Sequence, residues 1–292
     1  MRLLANKIAL ITGGANGIGK AASLKFANEG ASVIIADIDE DNGKTLVSRI
    51  TNLNQHAIFV KCDVSKSQDV RNTIGIIEQK YGILDVIYNN ASVYLSDSDA
   101  VITNIEEHVW EKVININLRS IYLFCKYGIP LMVKRGSGSI INTSSSAGLI
   151  GIPKCDAYTA SKGATISLTR SLAVEFGPKG IRTNCIAPAA VQTDMMNKSN
   201  LDEPDYDEEN FLNLRAPLRR YGNPEEIANL AAFLASDFAS YINGAIIPVD
   251  GGITINGDLS KLKTFDLNQF QLEPHLYVKN ELSKKDKAIQ KI

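Results

Sequence analysis

The chain has 292 residues, 45% of them hydrophobic and 22% charged, with a formal net charge of -1. This composition excludes wholesale disorder and fibrous repeats, and near-neutrality offers no general attraction to phosphate backbones or anionic lipid, so neither nucleic acid nor membrane is an expected partner. The length admits one large α/β domain or two small ones.

The apolar runs Ile8 to Ile11 and Val33 to Ala36 are far shorter than the ~20 residues of a membrane-spanning helix. Met1-Arg2-Leu3-Leu4 leads into Ala5-Asn6-Lys7 without the apolar stretch of a secretory signal, which makes a cytoplasmic location the expectation. Cys62, Cys125, Cys155 and Cys185 form no C-x-x-C pair, and His56, His108 and His275 lack metal-ligand spacing. They read as reduced thiols and ordinary histidines, with no metal site.

Along the chain, strand-like runs cover Ile8 to Thr12, Ser32 to Asp37, Ala57 to Cys62, Leu84 to Asn89, Ile140 to Ser144, Arg182 to Ile186 and Ile246 to Val249, with helix-like segments between them. Alternation of this kind marks βαβ units, and short β-branched runs without polar alternation suit parallel strands covered on both faces. The expected fold is therefore a single doubly wound α/β domain over residues 1–257. A first helix is expected from near Ile18, presenting Ala22 and Phe26, to a left-handed cap at Gly30. After Gly251-Gly252 the sequence changes character, and residues 258–292, ending in a Lys-rich stretch, read as a C-terminal extension.

Strand Ile8 to Ile11 runs into Thr12-Gly13-Gly14-Ala15-Asn16-Gly17-Ile18-Gly19 and then a helix, the order in which a backbone turn can approach a pyrophosphate. The spacing differs from G-x-G-x-x-G, so the turn alone does not separate a nucleotide site from a simple connection. Asp37 ends the second strand, where a carboxylate accepts from adenosine ribose hydroxyls and repels a 2′-phosphate; Ile38-Asp39-Glu40-Asp41 offers no cation for that phosphate. These residues favour NAD over NADP. Tyr158 and Lys162 lie one helical turn apart, so phenol and ammonium share a face and the cation lowers the phenol pKa toward neutrality.

Together these features resemble the short-chain dehydrogenase/reductase family over nearly all of Lys7 to Gly252: Thr12 to Gly19 is similar to its TGxxxGxG turn, Asn89-Asn90-Ala91 to NNAG, and Tyr158 to Lys162 to YxxxK. The resemblance implies a Rossmann fold and a catalytic set of Tyr158 exchanging the proton, Ser145 holding the substrate oxygen, Lys162 on the nicotinamide ribose, and Asn117 holding a relay water. Ser144 and Ser146 flank Ser145, and the choice rests on the family's Ser-to-Tyr spacing. The implied cofactor contacts are Gly13, Asn16, Gly17, Ile18 and Gly19 at the turn, Asp37 and Ile38 at the ribose, and Asp63 and Val64 beside the adenine. Asn90, Ala91, Pro188, Val191 and Thr193, with Tyr158 and Lys162, belong to the nicotinamide end.

Two departures stand out: Ser92 replaces the Gly of NNAG, and Ala189 replaces the Gly after Pro188. Each adds a Cβ where left-handed backbone or close approach is common, so an altered pocket wall and a shifted nicotinamide loop are expected. Gln192 to Arg215 sits where the family has a substrate lid; Asp202, Glu203, Asp205, Asp207, Glu208 and Glu209 there disfavour anionic substrates, while Tyr94, Ile152, Cys155 and Met196 suit a neutral alcohol or ketone. The resemblance further implies a homotetramer or homodimer using Glu106 to Val133 and the Tyr158 helix, and Phe265, Leu267, Phe270, Leu272 and Leu276 of the extension are expected to pack. The expected activity is NAD(H)-dependent oxidation of a small secondary alcohol. The alternatives are an NAD(P)H-dependent carbonyl or 3-oxoacyl-thioester reductase, and a catalytically silent dinucleotide-binding regulator.

Overall fold

The apolar runs form the strands of one sheet. In the computed structural model, which describes residues 2–201 and 207–255, these are β1 (Ile8–Thr12), β2 (Ser32–Asp37), β3 (His56–Lys61), β4 (Val86–Asn89), β5 (Gly138–Thr143), β6 (Ile181–Pro188) and β7 (Ile246–Val249). All seven are parallel in the order β3-β2-β1-β4-β5-β6-β7. This is the expected doubly wound sheet. β6 runs past the expected Ile186 because Ala187 and Pro188 pair with Pro248 and Val249 of β7. The expectations for residues 258–292, and for Asp202, Glu203 and Asp205, lie outside the described residues.

Side chains alternate across each strand, so every central strand feeds two cores. On one face Ala9, Ile11, Val33, Ile35 and Tyr88 pack with Phe26 of α1 (Gly17–Asn28), Leu46 of α2 (Glu40–Thr51) and Ile227 of α9 (Pro224–Ala235). On the other, Leu10, Ile34 and Ile87 pack with Ile74 of α3 (Ser67–Tyr81) and Phe124 of α5 (Ser120–Arg135). Full burial of an aliphatic or Phe side chain stabilises by roughly 1.5–3 kcal/mol, and two such faces explain why these strands are apolar throughout.

α1 starts at Gly17, one turn of chain after β1, and ends in the expected left-handed cap: Gly30 has φ 93°, its N–H donates to Ala27 O at 2.9 Å, and Ala31 N–H reaches back to Phe26 O at 3.0 Å. α4 (Glu107–Ile114) leads through a π-helical turn at Asn115–Arg119 into α5. α6 (Asp156–Phe176) crosses beside β6, and α7 (Asp194–Leu201) and α8 (Glu208–Arg215) follow it. Among the described residues no helix is long and apolar enough to cross a membrane. The sheet order reverses at β1, whose neighbours are β2 and β4, and the carboxyl ends of the strands meet there; a crevice at this point is the usual ligand site of an open parallel sheet.

Candidate active site

That crevice is a cavity of about 1200 Å³ lined by residues that follow all seven strands. Of the expected site residues, all but Gly19 and Asn117 line it.

At one end the turn after β1 is clamped by a backbone hydrogen bond and by the side chains of Thr12 and Asn90. Gly13 N–H donates to Ala36 O at 2.8 Å. Thr12 Oγ1 accepts from the N–H groups of Asn90 and Ala91 at 3.0 and 3.1 Å, while Asn90 Nδ2 donates to the carbonyls of Thr12 and Gly13 at 3.2 and 3.1 Å. Gly19 belongs to this clamp without facing the cavity: a Cβ there would lie 1.9 Å from Gly13 O. The N-cap of α1, Asn16, makes no side-chain cap bond; its amide binds Asp39 at 3.0 Å and Asn42 at 3.1 Å. The uncapped helix start suits an anion such as a pyrophosphate.

Asp37 does structural work as well. Its carboxylate accepts from Ala15 N at 2.9 Å and Asp39 N at 3.0 Å, which ties the turn to the end of β2. Asp39 lines the cavity too, and the Asn42 N–H and the Asn16 and Asn42 amides hold its carboxyl below the ordinary range. Asp39 caps α2 by accepting from Asn42 N at 3.0 Å, a local bond, and its bond to Asn16 is the one that reaches across from a distant turn. Ile38, 68% exposed, Asp63 and Val64 complete this end. The residues fit a dinucleotide: a turn in which a side chain at position 19 would clash, an open helix start, and a carboxylate at the second strand end.

At the other end α6 sets Lys162 Nζ 5.4 Å from the Tyr158 ring centroid. Lys162 is 2% exposed, donates to Thr143 O at 3.0 Å, and burial lowers its pKa to about 8. Burial pushes Tyr158 up to about 12, with the Ser145 hydroxyl pulling the other way. The phenol is thus held neutral in this enclosure, against the sequence expectation of a value drawn toward neutrality by Lys162: desolvation dominates, and the same burial penalises the charge of Lys162.

The three serines after β5 separate by their partners. Ser144 is buried and donates its hydroxyl to Lys162 O at 2.8 Å. Ser145 caps the short turn Ser146–Gly148, its Oγ accepting from Ala147 N at 3.2 Å, and stands beside the phenol. Asn117 is 1% exposed within the π-helical turn; its Oδ1 accepts from Val93 N at 2.8 Å and its Nδ2 donates to Val93 O at 2.9 Å and Ser161 Oγ at 3.2 Å. Its side chain therefore fastens the chain leaving β4 to α6.

Asp99 was not legible in the sequence. It is buried, and its carboxylate accepts from Ala157 N at 3.2 Å and Tyr158 N at 2.9 Å, so it caps α6 at the residue that carries the phenol. Cap rules look a few positions upstream, and this cap comes from 59 positions away.

The expected pocket wall is found: Tyr94, whose ring lies 5.1 Å from that of Tyr158, with Ile152, Cys155 and Met196. Met195 and Phe211 extend it. Asp207, Glu208 and Glu209 do not line the cavity; from the same segment Asp194 and Arg215 do, so the local charge is mixed where repulsion of anions was expected. Pro188, Val191 and Thr193 form the facing loop, in which Thr193 Oγ1 accepts from Met196 N at 3.3 Å. At the two departures the backbone does not take the left-handed conformation: neither Ser92 nor Ala189 has positive φ, and the left-handed residue of that loop is Ala190, at φ 49°.

A family model described as enoyl-(acyl carrier protein) reductase matches residues 13–254. The chain is 39% identical over 252 residues to the 3-oxoacyl-[acyl-carrier-protein] reductase of Thermotoga maritima, covering 86% of this chain and 99% of that protein. It is 34% identical to a cyclohexanol dehydrogenase of an Acinetobacter species, over 85% of this chain and 95% of that one. Among solved structures, levodione reductase superposes with a TM-score of 0.81 at 32% identity, over 86% of this chain and 98% of that one.

Proposed function

Since the chain belongs to the short-chain dehydrogenase/reductase family, we propose that it is an NAD(H)-dependent oxidoreductase interconverting a small, neutral secondary alcohol and its ketone. The observation that carries this reading is the convergence of Ser145, Tyr158 and Lys162 on the same cavity as the clamped glycine turn.

A nicotinamide dinucleotide bound there supplies the hydride acceptor or donor. Gly13, Asn16, Gly17, Ile18 and Gly19 form its pyrophosphate cradle, Asp37 and Ile38 meet the adenosine ribose, and Asp63 and Val64 flank the adenine. Asn90, Ala91, Pro188, Val191 and Thr193 bound the nicotinamide end, with Lys162 on its ribose. Asp37 and Asp39 both line this end of the cavity, and their carboxylates would repel a 2′-phosphate, which supports NAD over NADP.

In the oxidising direction Tyr158, as phenolate, accepts the proton of the substrate hydroxyl while the carbon gives up its hydrogen with the bonding pair. Ser145 donates a hydrogen bond to the oxygen as it becomes a carbonyl. In reduction the neutral phenol returns the proton to the developing alkoxide, and burial keeps that proton in place until the oxygen carries charge. Asn117 and Asp99 hold the elements on which these groups sit. The apolar wall of Ile152, Met195, Met196 and Phe211 supports a neutral substrate.

A homo-oligomer is part of this reading, supported by an apolar depression between Ile114, Leu118 and Tyr122 on one side and Ala164 and Leu168 on the other. Four buried free cysteines suit a reducing, cytoplasmic compartment. Similarity to the Thermotoga protein favours a second reading, reduction of a 3-oxoacyl thioester. Turnover of secondary alcohols with NAD and NADP, set against reduction of acetoacetyl thioester with NADH and NADPH, separates the two. The proposal predicts faster turnover of an alcohol with NAD; preference for the thioester with NADPH would replace it with the second reading.

A further inference from the structure

Ser92 lies where the chain leaves β4, in the wall of the cavity that Tyr158, Ser145 and Lys162 also line. Among the described residues its Oγ is closed off from solvent and has no partner in a formed hydrogen bond, although it stands close enough to the Tyr158 phenol to act on it. Buried hydroxyls nearly always have a partner, so an orphan at a reacting group asks for an explanation. Strain does not provide one, because Ser92 has no left-handed backbone. Nor is the hydroxyl adrift: the next residue, Val93, is gripped at both N–H and C=O by Asn117, at 2.8 and 2.9 Å.

The groups facing the Tyr158 phenol are few. Lys162 lies one helical turn along α6 with its ammonium donating to Thr143 O, and Cys155 is bonded to Ile152 O and Thr159. Asp99 is engaged by the N–H groups of Ala157 and Tyr158, Tyr94 offers its ring, and Ser145 offers its hydroxyl. A neutral phenol is satisfied by few contacts, whereas a phenolate oxygen calls for two or three donors. Ser145 is one. The Ser92 hydroxyl is near enough to the phenol to favour its ionised form and has no competing partner.

We propose that Ser92 is a positioning residue whose hydroxyl donates to the Tyr158 phenolate, completing a two-serine cradle with Ser145. The proposal rests on Tyr158 as the proton-exchanging group. No bond is made or broken by Ser92; it stabilises the charged state of its neighbour.

Ring-fluorinated tyrosine incorporated into the full chain lowers phenol pKa values into an accessible range, and fluorine NMR then follows each ring, with Tyr158→Phe identifying the resonance. In Ser92→Ala the Tyr158 resonance is expected to titrate about one pH unit higher than in the parent protein, the effect of one charge-assisted hydrogen bond. Ser92→Thr restores the parent titration. The rise of alcohol-oxidation kcat/KM with pH moves by the same amount, whereas a merely structural role lowers the rate evenly at every pH. An unchanged Tyr158 titration in Ser92→Ala would overturn the proposal. Should that variant fail to fold, Ser92→Gly and Ser92→Cys carry the same expectation. Absence of turnover in the parent protein would count against the proposed function alone, since the titration still decides the role of Ser92.

Discussion

Around Gly13, backbone N–H and C=O groups from three strand ends are held at 2.8 to 3.2 Å, one pair directly and the rest through the Thr12 hydroxyl and the Asn90 amide. Across the cavity, α7 and α8 contribute the side chains of Met195, Met196 and Phe211, and an exposed ion pair at 3.6 Å between Lys198 and Asp97 links α7 to the segment after β4. Exposed pairs of that kind contribute ~0–1 kcal/mol. The first wall is specified by backbone geometry that tolerates no substitution at position 19; the second is specified by apolar bulk that many sequences supply. A family can therefore keep its cofactor chemistry while its substrates diverge.

Breaking the chemistry between the two walls has the largest expected effect. Tyr158→Phe removes the oxygen proposed to exchange the proton and is predicted to lower kcat by about 10³-fold, within the usual range for a general acid–base group, with the circular dichroism spectrum unchanged. Ser145→Ala should lower kcat/KM by about 10²-fold, as loss of one donor to a developing oxyanion does, while Ser144→Ala chiefly lowers the unfolding temperature, because Ser144 binds the Lys162 carbonyl. At the glycine wall, Asp37→Ala is predicted to raise the KM for NAD about tenfold, that of one or two lost hydrogen bonds, and to erase the preference over NADP. Substitution of the other wall, Met196→Ala, should change the ranking of alcohols in a turnover panel and leave the KM for NAD within about threefold.

Lys162 sharpens the comparison through pH. Its folded pKa of about 8 lies below the ordinary 10.5, so the folded protein binds fewer protons than the unfolded chain between these values. Its contribution to stability is full above 10.5 and is lost as pH falls through about 8. Chemical denaturation at several pH values should show this slope in the parent protein, and Lys162→Met should flatten it. Tyr158 shows its pH dependence in the rate. Since oxidation needs the phenolate and the phenol sits near 12, kcat/KM for alcohol oxidation should climb from pH 7 to 9 while ketone reduction stays level.

The doubly wound sheet was legible because each βα unit carries its own signals: a buried apolar run, a glycine turn, a helical repeat. The turn at Gly13, the Tyr158–Lys162 spacing and Asp37 were legible for the same local reason. What stayed hidden was long-range and made of side chains. The bonds of Asn117 to Val93 and Ser161 join segments far apart in sequence. Asp99 caps α6 from a distant loop. The anticipated strain at Ala189 falls on Ala190, because a single residue of backbone rotation is below what a motif records. The phenol's high pKa follows from enclosure, a property of packing that residue spacing does not carry.

The central claim is that one cavity joins an independently built nucleotide cradle to the proton chemistry of Tyr158. Calorimetric titration of NAD into Tyr158→Phe, alongside steady-state alcohol oxidation by the same preparation, tests it most directly. The account predicts a Kd for NAD within about threefold of the parent value together with loss of turnover, because the clamp around Gly13 and Asp37 does not depend on the phenol. Retained turnover in that variant, or loss of NAD binding with it, would contradict the account.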